Sequence, residues 1–221
     1  MFLDGIILTM NTIEYLKKTY GYDTPIFLKD IRIGRKSKTA IKQDLYRAAK
    51  NGQIKRETNG VYYFPNPDSY FPDNGLGFEE IVEKKYIRDG CGMPGYEDTN
   101  TYGYITGLNF LNSFGLSQQV PMTIEITTNN TSCKKGVYRM NGFEAIIRKP
   151  KTKITSSNWR TLQFLDMFRL LSLDEVLVNK KKLNDYAKKY VGLNNLNEYL
   201  PLYSADTIAK VRKGGIATAI T

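Results

Sequence analysis

An α+β fold in two parts is what the sequence predicts, and three observations predict it. Within the first 66 residues, three short helical patterns end in a hairpin centred on Asn59-Gly60. A stretch rich in proline and turn formers follows, Pro65-Asn66-Pro67-Asp68-Ser69-Tyr70-Phe71-Pro72-Asp73-Asn74-Gly75, with no hydrophobic period. Beyond it, segments of period 2 and period 3.6 are mixed. With 221 residues, 41% of them hydrophobic and 24% charged, the chain is ordinary globular material and long enough for two domains. We place these at 1–66 and 76–221, joined by a linker over 67–75.

The first helix is predicted over Asn11–Tyr20, with Ile13 and Leu16 on one side and Gly21 closing it. Phe27–Ile31 reads as a second short helical turn. Ser37 can cap a third helix that runs to about Asn51, where Gly52 stops it. On that helix Ile41, Leu45, Ala48 and Ala49 share one stripe at 100° per residue, and Lys36, Thr39, Gln43, Tyr46, Arg47 and Lys50 project from the other side. Next come Ile54–Thr58, Asn59-Gly60 and Val61–Phe64. Asn-Gly between β-rich runs predicts a type I′ turn, with φ > 0 at both central residues. Three short helices and then a β-hairpin is the order of a winged helix-turn-helix, whose third helix is expected to enter a DNA major groove.

In the second part, Phe78–Ile87 is helical in period, and Thr101–Phe114 contains a further helix ended by Gly115. Strands are predicted at Thr123–Thr127, Gly136–Met140 and Phe143–Arg148, and helices at Trp159–Ser172, Lys181–Tyr190 and Ala205–Lys213. Trp159–Leu171 is apolar on most sides and is expected to be the buried spine of this domain, with Trp159 and Phe168 in its core.

Thirty-two Lys and Arg against 22 Asp and Glu give a formal charge of +10, and there is no histidine. That excludes His-dependent hydrolases, His-ligated zinc or haem, and imidazole acid–base chemistry. Cys91 and Cys133 are too few and too far apart for a zinc site or a disulfide framework, which suits a reduced cytoplasmic protein. The apolar Phe2–Leu8 has no basic leader and is far shorter than a membrane span, so no membrane partner is expected. Gly90-Cys91-Gly92-Met93-Pro94-Gly95 spells G-x-G-x-x-G, but no strand leads into it and no helix follows, so it reads as a loop and no cofactor is expected. Glu125, Glu144 and Asp166 are separated in sequence and form no metal-ligating pattern, so neither a metal site nor catalysis is expected.

Charge placement narrows the partner. From Lys29 to Arg56 there are ten basic residues and two acidic ones, a local +8, which leaves +2 for the rest of the chain. These cations flank an amphipathic helix and continue into a hairpin, so one patch can follow a duplex phosphate backbone. Thr39, Lys42, Gln43 and Tyr46 are candidates for base edges. Arg35, Lys36, Lys38, Arg47, Lys50, Lys55, Arg56 and Asn59 are candidates for phosphate contact, with about six contacts implying a log–log salt slope near −5. Of Tyr62 and Tyr63, which alternate along a strand, at least one is expected in the core.

The run Ser37-Lys38-Thr39-Ala40-Ile41-Lys42-Gln43-Asp44-Leu45, the later Lys50-Asn51-Gly52-Gln53-Ile54 and the ending Gly60-Val61-Tyr62-Tyr63-Phe64-Pro65 resemble the winged-helix N-terminus of AbiEi-like antitoxins. The stretch from Ile105-Thr106-Gly107-Leu108-Asn109 to Gly115-Leu116-Ser117-Gln118-Gln119-Val120-Pro121-Met122 is similar to the most distinctive part of that family's second domain. The resemblance covers roughly residues 10 to 175. It departs from the family at the glycine-rich loop Arg88–Tyr104 and in the tail after about Leu173. The resemblance implies a bacterial type IV toxin–antitoxin protein that binds inverted repeats in its own promoter and represses the operon. It also implies that the second domain counteracts, directly or indirectly, a nucleotidyltransferase toxin encoded beside it. No enzymatic activity is expected, and the chain is expected to be a monomer in solution. The alternative from the residues alone is a stand-alone regulator or a protein-interaction module with no toxin partner.

Overall fold

The computed structural model describes residues 11–70, 75–88 and 100–216; residues 2–8 and the glycine-rich loop 90–95 lie outside these, as do 71–74 of the expected linker. The architecture is mixed α+β, with helices and two separate sheets. Two compact units form, Met1–Ile81 and Val82–Thr221, so the division falls within a helix, Phe78–Tyr86.

Unit 1 begins with α1 (Thr12–Tyr20), whose N-cap Asn11 accepts from the Ile13 N–H. Gly21 closes it at φ 68°. Phe27–Ile31 does not form the expected helical turn. Instead Ile26–Phe27 is a short strand, β1, followed by a turn in which the Asp30 N–H bonds to the Phe27 carbonyl. The reason is tertiary: Ile26 and Phe27 pair with Tyr62 and Val61, and a β-rich dipeptide gains more from completing a sheet than from one isolated helical turn. Helix α2 (Lys38–Lys50) is capped by Ser37, whose Oγ accepts from the Ala40 N–H at 3.2 Å. Gly52, at φ +71°, follows its end.

Strands β2 (Lys55–Thr58) and β3 (Val61–Tyr63) form the hairpin, and the sheet order is β1-β3-β2, antiparallel throughout. The hairpin turn is not type I′. Gly60 sits at φ +76°, but Asn59 does not share a positive φ, and the register shifts by one residue between Arg56 and Thr58 to absorb the difference. Leu16, Ile26, Ile31, Ile41, Leu45 and Ile54 form the buried centre of the unit. Both Tyr62 and Tyr63 are buried; β3 is the middle strand, and Tyr62 packs in the cluster that holds Ile41 and Leu45 of α2.

Unit 2 continues from α3 (Phe78–Tyr86) into β4 (Gly103–Thr106) and α4 (Gly107–Ser113), so the front of the predicted Thr101–Phe114 segment is a strand and only its back is a helix. Next come β5 (Thr123–Thr128), β6 (Lys135–Met140) and β7 (Phe143–Arg148). The sheet order is β4-β5-β7-β6, with β5 and β7 parallel and the other neighbours antiparallel. Asn141 and Gly142, at φ 50° and 82°, join β6 to β7 across the Met140–Phe143 pair. Here Asn-Gly does take two positive φ values.

Helix α5 (Trp159–Met167) is the spine: Leu162, Phe164, Leu165 and Met167 are buried, as are Phe168 and Leu171 just beyond its end. It stops five residues short of the expected Ser172, because the chain turns after Met167 and Ser172 instead begins a new helix with a full capping box to Glu175. Trp159 is half-buried at the edge of this core rather than inside it. The tail holds α6 (Leu173–Val178), α7 (Lys180–Tyr186), a π-helical turn over Ala187–Val191, α8 (Leu193–Tyr199) and α9 (Ala205–Lys213). Helices α6 and α8 have no counterpart in the sequence reading. They span six and seven residues, too short for a 3.6-residue period to show.

Candidate nucleic-acid interface

Helix α2 separates its two roles by face. Ile41, Leu45 and Ala48 are buried, while Thr39, Lys42, Gln43, Tyr46, Arg47 and Lys50 are exposed, Tyr46 at 65%. The i, i+4, i+7 spacing of the apolar residues produces this division. Gln43 can offer an amide donor and acceptor together, and Lys42 and Lys50 can offer ammonium donors, along a helix wide enough to occupy a groove.

The cations flanking α2 are not all at liberty. Lys36 pairs with the Asp44 carboxylate and donates to the Thr12 Oγ1 at 2.6 Å, and Thr12 in turn donates to Asp44 at 2.5 Å. Burial by itself raises the Asp44 pKa, but the hydrogen bonds from Lys36 and Thr12 and the charge of Arg47 outweigh it and hold the carboxyl below its ordinary value. This triad ties α1 to α2. The sequence reading missed Asp44 because its partners lie 8 and 32 residues away, with no local spacing to mark them.

Lys38 donates to the Lys29 carbonyl, and Arg56 donates to the Thr58 carbonyl and to the Asn59 Oδ1 at the hairpin tip. Ser37 is spent as the α2 cap, and Lys55 is half-buried. Of the predicted contact residues, Arg35, Lys42, Arg47 and Lys50 are exposed cations whose side chains have no hydrogen bond or ion pair among the described residues.

Division by unit sharpens the charge. Met1–Ile81 holds 12 basic and 10 acidic residues, and Val82–Thr221 holds 20 basic and 12 acidic. Unit 1 is thus nearly neutral overall yet polarised, +8 over residues 29–56 against −6 elsewhere, whereas unit 2 carries +8 as a whole.

Among the described residues, no cluster of acidic residues or cysteines is arranged to hold a metal ion, and no helix is long and apolar enough to cross a membrane. In unit 2, Glu125 pairs with Arg148 and Glu144 with Arg139, each on its own partner. Asp166 is buried. It accepts from the Tyr104 hydroxyl at 2.9 Å and the Thr127 hydroxyl at 3.3 Å, and burial pushes its pKa up despite those donors.

The Thr106-Gly107 pair has a plain structural reason. Gly107 opens α4 at φ +71°, and a Cβ there would meet the Glu125 side chain at 2.9 Å. Asn109 Oδ1 accepts from the Glu125 N–H, and Asn112 donates to the Ser117 carbonyl, so both asparagines of this segment fold its loop back on itself. Val120 and Met122 at its end are exposed, at 81% and 95%. A scan against known protein families finds no match for the chain, and a search of curated proteins finds none either.

Proposed function

We propose that the chain is a non-enzymatic, DNA-binding antitoxin and autorepressor, with unit 1 acting as a winged helix on inverted repeats of its own promoter. The observation that carries the DNA part is the exposed face of α2, where Thr39, Lys42, Gln43, Tyr46 and Lys50 lie on one side of a helix anchored by its other side. The β2–β3 hairpin follows α2 in the chain, the order of a wing after its recognition helix, and base reading by such a helix suits the wide major groove of B-DNA. Antitoxin action of unit 2 against a nucleotidyltransferase toxin is supported by the resemblance of Ile105–Met122 to AbiEi-like antitoxins. A cytoplasmic monomer that meets DNA in solution fits this reading.

The test is a duplex titration with promoter and scrambled DNA over a range of salt. With Arg35, Arg47 and Lys50 as the phosphate contacts, the log–log slope is expected to be about −3. Gln43→Ala is expected to remove about 1–3 kcal/mol of preference for the promoter, whereas Lys50→Ala weakens all duplexes alike. Salt-independent binding, or equal loss on both duplexes for Gln43→Ala, overturns the proposal. Growth rescue on co-expression with the neighbouring gene tests the antitoxin half separately.

A further inference from the structure

Unit 2 carries the larger net charge, and one of its arginines lies over two aromatic rings at once. The Arg160 guanidinium lies 4.7 Å from the Trp159 ring centre and 4.7 Å from that of Tyr190. Behind Tyr190 an aromatic chain runs into the core: Tyr190 to Tyr186 at 4.8 Å, Tyr186 stacked on Phe164 at 5.6 Å, and Phe164 to Phe168 at 5.1 Å. The exposed guanidinium is therefore held in place by rings that are themselves fixed, with its N–H edges turned to no carboxylate among the described residues. An arginine so immobilised loses little further entropy when it binds a phosphate.

Along the same stretch of chain as Tyr190, α7 and the π-helical turn carry Lys180, Lys181, Lys182, Lys188 and Lys189, all exposed, against Asp185, which pairs with Lys181. Lys189 stands 4.9 Å from the Tyr190 ring, and Lys182 lies 5.5 Å from that of Phe114. The π turn itself is a second, independent sign. The Gly192 N–H bonds to the Ala187 carbonyl five residues back, a geometry poorer than the α-helix and concentrated in proteins at functional positions. It shifts Lys188, Lys189 and Tyr190 out of the α-helical register set by α7. A hydrogen bond with Lys189, together with the Arg160 charge, holds the Tyr190 phenol below its ordinary pKa, as a strongly positive surface would.

We propose that this face of unit 2 binds the backbone of an unpaired nucleic-acid strand, with Arg160 and Lys189 on adjacent phosphates and the exposed part of Tyr190 beside its bases. Several cations in a row call for a polyanion, and aromatic side chains beside them can stack only with bases that are not already paired. This surface does not depend on α2, so it stands or falls separately from duplex binding by unit 1.

The experiment measures fluorescence anisotropy of labelled oligo(U), oligo(dT) and a mixed-sequence duplex with the full chain at fixed salt. The wild type is expected to bind both single strands. Arg160→Ala is expected to weaken them about tenfold or more while duplex affinity stays within about twofold. Arg160→Lys keeps the charge but loses the planar fork, and is expected to fall between. A preference for oligo(U) over oligo(dT) would assign the surface to RNA, and equal binding to unpaired strands of either sugar. Lys188→Ala/Lys189→Ala, which alters only exposed side chains, gives the same reading should Arg160→Ala fail to fold. Unchanged single-strand affinity in these variants overturns the proposal, as does an equal loss on the duplex. A wild type that ignores both single strands but binds poly-glutamate also overturns it, in favour of an acidic protein.

Discussion

Leu45 and Tyr46 are neighbours on α2, and the structure assigns them opposite consequences. Leu45 is fully buried among Leu16, Ile26, Ile31, Ile41 and Ile54, while Tyr46 is 65% exposed. Leu45→Ala removes buried methyl and methylene groups and leaves a cavity that three separate elements would have to collapse to fill. A cost of about 3–4 kcal/mol is expected, within the range of such substitutions. A unit of this size has a total stability of roughly 4–12 kcal/mol, so the loss is a large share of it. In a domain of this length each kcal/mol moves the midpoint by about 4–8 °C, so unit 1 should melt more than 10 °C earlier. Tyr46→Ala should leave stability within about 0.5 kcal/mol and act on duplex binding alone. Urea unfolding followed by hydrogen exchange at the α2 amides reports unit 1 specifically, and duplex anisotropy reports the other face. A Leu45→Ala cost below about 1 kcal/mol, or an equal stability loss for Tyr46→Ala, would refute the division of α2 into an anchored and a free face.

Two predictions concern unit 2. The Asp166 pKa is raised in the folded state by burial, so the unfolded chain gives up this proton first as pH rises; stability from this group is fullest below the ordinary carboxylate value and falls as pH climbs through the folded value. Asp166→Asn should therefore gain on the wild type between acid and neutral pH, read from urea midpoints at both, and a variant that loses ground over that interval would mean the carboxylate is stabilised as an anion. Gly103→Ala should destabilise unit 2 by about 1–3 kcal/mol or more, because the new Cβ would overlap the Tyr86 carbonyl oxygen and come within 3.0 Å of that of Thr127; since both obstacles are backbone, a thermal midpoint unchanged by the substitution would show that β4 lies elsewhere.

Much of the fold was legible because its signals are local. Asn11 and Ser37 as caps, Gly21 and Gly52 as stops, and the apolar stripe of α2 depend on spacings within a few residues, and each appears where the spacing places it. Three of the four described strands of unit 2 were legible for the same reason, Phe143–Arg148 to the residue, whereas β4 lay hidden in a segment read as helical. The failures share a cause as well. Ile26-Phe27 became a strand because of β3, 35 residues further on, and the geometry of Asn59-Gly60 answers to a register shift in β2 that no dipeptide encodes.

The sequence by itself therefore determined the α+β class, the position of a basic amphipathic helix before a hairpin, and the absence of histidine chemistry, all properties of composition or of short-range period. Tertiary structure alone decided which of the cations are spoken for. Lys36 is held by Asp44 and Thr12, and Lys38 and Arg56 by nearby backbone carbonyls, while Arg160 is gripped by a ring from the adjacent residue and another 30 positions away. The physical reason is that charge can be counted along a chain, but the freedom of a charged side chain depends on which atoms folding brings within a few ångströms of it.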